Sequence, residues 1–508
     1  MMRSHAPFTL VVMVSVAAAR GAAAQQADPY PGFNAYVAKA MKTWQIPGLS
    51  IAIVRNDSVI YAKGFGVLGA KSATPVDQRT LFEIGSSSKA FTATLVAMLV
   101  GEGKMHWDDR LTTYLPDFRM SDAVANEEVT VRDALTHRSG IARGEFVWLG
   151  AGISRDEVLH RVRFLKPESP FRSRYSYQNM MFLAAGQAVA HAAGSTWDDL
   201  VRERIFTPLG MTSTVTTYRG LTNTNVAIPS GLDHDTVFAK RPFNAENIAP
   251  AGAIISSVTD MAQWLRFQLN DGTVNGKRLV SHTALAETHV PQILMSPGVN
   301  PRAVSDTAPA TTLFSAYGMG WMIEDYHHQL MWQHGGNTDG MTTAVGMLPE
   351  KKFGVVVLSS MNGAQLPALL MHYIFDRQLG LPMQDVSAEA FARYAVQRKR
   401  ADSVEAAQKR PAQTISPGFF GRSSRSQSLP LMWYSPSKPR RRSAWPRTAI
   451  SCSRVISTCV PHRRHATFTE HGCIRLSNAY VGCSSSSTRG QGPIVPFVAD
   501  HVHLASAM

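Results

Sequence analysis

Strand-type sequence stands at both ends of the first 380 or so residues of this chain and helix-type sequence fills the middle, an order that restricts the fold more than any other feature. Phe33 to Trp44 has helical spacing of its apolar residues. Two β-type runs follow, Leu49 to Val54 and Val59 to Gly64, around an Arg55-Asn56-Asp57 turn. Strand character returns at Gly318 to Ile323, Thr342 to Leu348 and Gly354 to Ser359, the last two joined through Pro349 to Lys352, and the amphipathic run Leu366 to Leu379 predicts a closing helix. Between the two ends, Ser88 to Glu102, Thr130 to Thr136, Arg155 to Val162, Gln178 to Ala193 and Ser257 to Leu269 place apolar residues three and four apart, and Ser257 with Asp260 predicts a capping box. Both ends must supply one sheet while the middle forms a helical lobe, so a cleft between them is the natural place for a site.

Charge and cysteine divide the chain at one place. The net charge of +14 would suggest an anionic partner if it were spread, but residues 411–508 hold twelve Lys and Arg against only Glu470 and Asp500. The first 410 residues keep 39 bases against 35 acids, which leaves no basic patch to explain. Arg440 to Arg442 is one short run without interleaved aromatics, so no nucleic-acid partner is expected. Cys452, Cys459, Cys473 and Cys483 are all in the tail, which excludes a thiolate metal site, a cysteine nucleophile and disulfides from the body. Beyond about Ala412 no run keeps a period of 2 or 3.6. Residues 401–508 therefore read as a disordered extension or as sequence in a shifted frame, and residues 25–400 as the working domain.

At the N-terminus an apolar run from Phe8 to Ala19 precedes Ala22-Ala23-Ala24, the pattern of a secretory signal peptide over residues 1–24, cleaved near Ala24. That run is too short to cross roughly 30 Å of hydrocarbon, and no later stretch is long enough, so a secreted or periplasmic protein with no stable membrane span is expected.

Three segments carry chemistry. In Phe82-Glu-Ile-Gly-Ser86-Ser-Ser-Lys89 a serine opens a helix and a lysine stands on the same face one turn later. A helix start favours an alkoxide and an oxyanion, and a lysine held dry can lose its proton and accept one from the serine. Ser87 and Ser88 read as replaceable. Tyr175-Ser-Tyr177-Gln-Asn179 offers a phenol able to act as acid or base and an amide able to hold a substrate carbonyl or position Lys89. Trp332-Gln-His334-Gly335-Gly336-Asn337 reads as a strand edge whose glycines let a substrate approach the backbone.

In this order the three segments resemble those of the serine hydrolases grouped as class C β-lactamases, low-molecular-mass penicillin-binding DD-peptidases and family VIII esterases. The resemblance extends to Leu135-Thr-His-Arg-Ser139-Gly140 and to Ala249-Pro-Ala-Gly252-Ala-Ile-Ile-Ser256, and so covers about residues 30 to 380. It implies an α+β fold of the β-lactamase/transpeptidase-like type, an antiparallel sheet flanked by N- and C-terminal helices beside a mainly helical lobe. It further implies Ser86 as nucleophile, Lys89 as its base, Tyr177 as proton carrier and Asn179 as positioner of substrate and lysine. The backbone N–H groups of Ser86 and Asn337 would form the oxyanion hole, with His334, Gly335 and Gly336 lining the substrate strand. No metal or organic cofactor is implied, and the partner is a small-molecule or peptide substrate.

One departure bears on substrate. True β-lactamases of this group carry Lys-Thr-Gly where His334-Gly335-Gly336 stands, and an imidazole is the poorer carboxylate anchor except in mildly acidic solution, where it is charged. Ester or D-amino-acid peptide hydrolysis is therefore expected ahead of efficient β-lactam turnover. The alternative is a catalytically weak penicillin- or peptide-binding receptor. Relatives with long C-terminal extensions often carry a small β-barrel there, and this tail shows no strand pattern for one.

Overall fold

The sheet closes across the whole length of the body, because its first strand pairs with its last as well as with the second. In the computed structural model, residues 28–295, 314–408, 473–476 and 480–483 are described. The expected signal peptide and most of the tail lie outside them. The main strands are β1 (Gly48–Arg55), β2 (Ser58–Gly66), β3 (Ile293–Leu294), β4 (Ser315–Tyr317), β5 (Met322–Tyr326), β6 (Gln329–Asn337), β7 (Thr342–Leu348) and β8 (Phe353–Ser359). They form one eight-stranded sheet in the order β2-β1-β8-β7-β6-β5-β4-β3, antiparallel throughout.

Alternation along the strands decides which core each side chain enters. Leu49, Ile51 and Ile53 of β1 and Val355 and Val357 of β8 join one cluster with Phe33, Leu370 and Ile374, under helices α1 (Phe33–Thr43) and, later in the chain, Leu366–Leu379. Their neighbours Ala52, Val54, Val356 and Leu358 face the opposite cluster with Phe91, Trp264 and Leu265. Both faces are covered, which is why β8 is buried along its full length and reads as an unbroken apolar run.

The helical lobe is built around α2 (Lys89–Gly101) and α3 (Asn179–Ala193), with α4 (Val258–Leu269) linking it to the sheet. Every residue of α2 from Lys89 to Leu99 is buried, as expected for a helix that is apolar all round. Phe91 stacks on Trp264 of α4 with centroids 3.8 Å apart. The Ser257 hydroxyl accepts from the Asp260 N–H at 3.2 Å, but the second half of the expected capping box is absent. Asp260 instead accepts from the Ser213 N–H and the Thr214 hydroxyl, tying a loop to the helix.

Two expectations about extent are corrected. Gly318 to Ile323 is not one strand, because Tyr317 and Met322 pair as the flanks of a turn. The body also continues past residue 400 through α6 (Val386–Gln408), which follows α5 (Leu366–Leu379). The chain divides into two compact units, the first ending its main run at Gln408 and the second spanning Lys409–Leu504. In the second, Cys473–Leu476 and Tyr480–Cys483 pair antiparallel, a short ladder where no strand was expected.

Candidate active site

From Thr80 to Leu99 every residue is buried except Ser86. The strand Phe82–Glu83 pairs with Ile255–Ser256, the Ile84 N–H donates to the Ile254 carbonyl at 2.9 Å, and Gly85 then turns the chain at φ +51° into a 3-10 turn over Gly85–Ser88. Residues three apart eclipse in such a turn, so the Ser86 and Lys89 side chains converge. Lys89 Nζ lies 3.0 Å from Ser86 Oγ, 2.7 Å from Asn179 Oδ1 and 2.9 Å from the Ala251 carbonyl oxygen. Tyr177 Oη lies 2.7 Å from Ser86 Oγ on the other side. Lys89 and Tyr177 therefore meet at the Ser86 hydroxyl, and Asn179 holds the lysine from behind.

Burial sets the protonation states. Lys89 has no exposed surface, and desolvation drives its pKa well below the usual lysine value, with Glu145 opposing and Arg143 adding to the shift. A neutral amine has two N–H bonds and one lone pair. Asn179 Oδ1 and the Ala251 carbonyl take the two hydrogens, which leaves the lone pair for the Ser86 hydroxyl. Burial also raises the Tyr177 phenol well above its usual pKa, so it stays protonated and donates to Ser86 Oγ.

The third segment borders the serine turn. β6 pairs with β7 from Trp332 to Asn337, its pairing with β5 ends at Gln333, and its last residues pack against the turn. Contact there is backbone on backbone. A Cβ on Gly336 would sit 1.9 Å from the Ile84 carbonyl oxygen, and one on Gly85 would sit 2.8 Å from the Asn337 nitrogen. Gly336 thus admits the serine turn. The exposed Asn337 holds the strand end, its Oδ1 accepting from the Thr342 hydroxyl and the Gly363 N–H, each at 2.9 Å.

His334 departs furthest from its expected place. Only 2% of it is exposed, and both ring nitrogens are engaged. Nδ1 is 2.6 Å from the Gly335 carbonyl, which can only accept, so Nδ1 carries the proton and Nε2 accepts from the Tyr317 hydroxyl at 3.0 Å. Desolvation first, and the Lys89 charge second, lower its pKa to about 3. The expectation of an imidazolium in mildly acidic solution is therefore corrected: the ring is a neutral, buried support. Ser87 and Ser88 are not idle either, since Ser87 Oγ donates to the His334 carbonyl at 3.2 Å and Ser88 Oγ accepts from the Ile254 N–H at 3.1 Å.

Sequence reasoning missed Arg143 and Glu145. Asn179 Nδ2 is 3.4 Å from each Glu145 carboxylate oxygen, Glu145 pairs with Arg143 Nε, and the Arg143 guanidinium lies 5.1 Å over the Tyr177 ring. Nothing in their residue types distinguishes them from solvated charges. Beside the serine turn, with Gly252 and Thr338 in its wall, lies a cavity of about 190 Å³ lined further by Thr216 to Tyr218 and Pro242 to Glu246. Glu83 at its base accepts from the Tyr218 hydroxyl at 2.9 Å and the Phe243 N–H at 2.8 Å, and burial raises its pKa against these hydrogen bonds.

Several known proteins are similar to this chain in sequence or in fold. "Unguisins hydrolase ungD" of Aspergillus violaceofuscus is 27% identical over 371 residues, 70% of this chain and 65% of that protein. "Protein flp" of Staphylococcus aureus is 26% identical over 333 residues, 64% of this chain and 62% of its own length. The chain thus spans just under two thirds of the curated relatives it matches. Among solved structures, the octameric penicillin-binding protein homologue from Pyrococcus abyssi superposes with a TM-score of 0.60 at 24% identity, covering 69% of this chain and 77% of that one. A class C beta lactamase from Rhodobacter sphaeroides gives 0.55 at 21% identity, covering 69% and 99%. These share the fold, the α+β architecture of a large antiparallel sheet with helices. The Beta-lactamase family pattern matches residues 33–376, which is more than half of the chain and includes all three motifs, and the chain belongs to that family.

Proposed function

We propose that this protein is an exported serine hydrolase that works through an acyl-enzyme on Ser86, with carboxylic esters as its favoured substrates ahead of D-amino-acid peptides and β-lactam amides. The placement of Ser86 Oγ between the Lys89 amine at 3.0 Å and the Tyr177 hydroxyl at 2.7 Å carries this reading. Lys89 takes the Ser86 proton as Oγ attacks the acyl carbonyl. Tyr177 then gives its proton to the leaving group and recovers one from the Lys89 ammonium, and water reverses the path to release the acid. The N–H groups of Ser86 and Asn337 would hold the oxyanion, and removing one such donor costs on the order of 3 kcal/mol in acyl transfer.

The preference for esters is supported by the neutrality of His334, which leaves the third motif without the ammonium that would meet a substrate carboxylate. A panel of short 4-nitrophenyl esters, nitrocefin and D-Ala-D-Ala peptides, run against the wild-type chain and Ser86→Ala, tests the proposal. Ester turnover that disappears in Ser86→Ala is the expected result. Labelling by a fluorophosphonate with no turnover of any substrate would instead make the protein a receptor.

A further inference from the structure

The Leu135-Thr-His-Arg-Ser-Gly segment has no part in the mechanism above, yet His137 within it contacts Tyr177 and both of its neighbours, Ser176 and Gln178. Its carbonyl accepts from the Ser176 N–H at 2.8 Å, and its Nδ1 accepts from the Gln178 N–H at 2.9 Å. The two residues that flank the tyrosine are thus both tied to one histidine. Its ring also backs the phenol ring, with centroids 4.2 Å apart and planes inclined by 33°. We propose that His137 is a positioning residue that clamps the backbone on either side of Tyr177 and so holds its hydroxyl against Ser86.

The histidine itself is well anchored. It is fully buried, in a left-handed conformation at φ +55°, just beyond the short helix Val131–Leu135. Next to it, Arg138 pairs with the buried Asp133 at 2.6 Å, and Asp133 also holds Arg172 at 2.7 Å. Because Nδ1 accepts a hydrogen bond, the ring must be neutral with its proton on Nε2. Burial keeps it so, since desolvation lowers its pKa well below the ordinary value, and the Arg143 charge pushes the same way. Nε2 has no polar partner among the described residues and sits amid Tyr175, Phe182 and Tyr317. A protonated ring would break the bond to Gln178. The clamp works because the site around it is too dry to protonate the imidazole.

This inference rests on Tyr177 as the proton carrier, and the test separates the two claims. An alkoxide leaving group needs a proton and a nitrophenolate does not, so a misplaced proton donor shows as a loss that grows with leaving-group basicity. The measurement is kcat/KM for 4-nitrophenyl butyrate and ethyl butyrate, which share an acyl group, on Tyr177→Phe, His137→Ala and His137→Asn in the full chain. Asparagine tolerates a positive φ and presents an amide oxygen near the Nδ1 position. His137→Ala is expected to lose about tenfold more on the ethyl ester than on the nitrophenyl ester, and His137→Asn to stay within about threefold of wild type on both. Equal losses of His137→Ala on the two esters, alongside unequal losses in Tyr177→Phe, would overturn the clamp alone. Equal losses in Tyr177→Phe would remove the tyrosine's role and the clamp with it. If His137→Ala gives no cooperative melt, His137→Gln takes its place, since its amide oxygen lies one bond too far. A wild-type ratio in that variant sinks the proposal.

Discussion

Lys89 Nζ donates to the Ala251 carbonyl at 2.9 Å, so one of the two hydrogens of the neutral amine is held by a group with no side chain. With Asn179 Oδ1 holding the other, the lone pair can only face Ser86. Acylation should then follow the neutral fraction of Lys89.

The rate constant for labelling by a fluorophosphonate should rise with pH along a limb that lies well below the usual lysine pKa, because desolvation depresses that of Lys89. The neighbouring charges fix the sign of two shifts. Glu145 raises the Lys89 pKa, so Glu145→Gln should move the limb to lower pH, and Arg143 lowers it, so Arg143→Gln should move the limb to higher pH, each by roughly half a unit. Shifts in the same direction would show that the limb does not belong to Lys89.

Ser86→Ala should take up no label, whereas Ser88→Ala should still be labelled but melt at lower temperature. The buried Ile254 N–H loses its acceptor when the Ser88 hydroxyl is removed, at a cost of about 1–3 kcal/mol. A label mapped to Ser88 by tryptic digestion would overturn the choice of nucleophile.

The two glycines of the third motif should differ sharply. Gly336→Ala places a methyl group 1.9 Å from the Ile84 carbonyl oxygen, so the strand and the serine turn must part, and both the melting temperature and the labelling rate should fall. The nearest atom to a Cβ on Gly335 is the Thr343 carbonyl oxygen at 3.6 Å, an ordinary contact. Gly335→Ala should stay within about 0.5 kcal/mol of wild type in thermal unfolding. If the two variants melt alike, the backbone contact is not what requires Gly336.

Helix α6 sets where the chain can be shortened. Trp44 Nε1 donates to the Ser387 hydroxyl at 3.0 Å, and its ring meets Phe391 and Tyr394 with centroids 5.2 and 5.4 Å away. A chain ending at Gln408 should unfold cooperatively and label at the wild-type rate, while one ending at Gly380 should lose about 2 kcal/mol or more with those ring contacts. Equal melting temperatures for the two would remove α6 from the core.

Much of this was legible where periodicity and burial agree. Thr342–Leu348 and Leu366–Leu379 have the bounds that the sequence predicts, because each is a run with one clear period. Gly318 to Ile323 misled for the opposite reason: a buried turn is as apolar as a strand, and Gly320, at φ +80° against the backbone of Ala90, is what bends it. Helix α6 buries only a few positions, among them Val386 and Ala390, too few to stand out. In the site, the Ser86 and Lys89 spacing was readable, but the Ala251 carbonyl was not, since a backbone acceptor leaves no mark in residue type. The clamp by His137 was hidden likewise, because both groups it holds are N–H groups of the main chain.

His334 is the case in which residue type pointed to chemistry and burial removed it. A free imidazole titrates near pH 6.5, and from that value alone a carboxylate ligand should bind tighter in acid. The ring in place has a pKa of about 3, donates from Nδ1 and accepts at Nε2. Charging it at pH 5.5 would cost about 3 kcal/mol, counting about 1.4 kcal/mol for each pH unit, and would force the Tyr317 hydroxyl off Nε2. A partly solvated ion pair with a ligand carboxylate returns only about 1 kcal/mol, so the neutral form wins. Binding of benzylpenicillin to Ser86→Ala, where no acylation follows, should therefore change between pH 5.5 and 8 no more than binding of a neutral ester does. Calorimetric titration at the two pH values measures both. A penicillin affinity that climbs about tenfold per unit of acidification, with the ester flat, would mean that the ligand protonates His334 after displacing Tyr317, and the substrate preference would move from simple esters back toward carboxylate-bearing peptides and β-lactams.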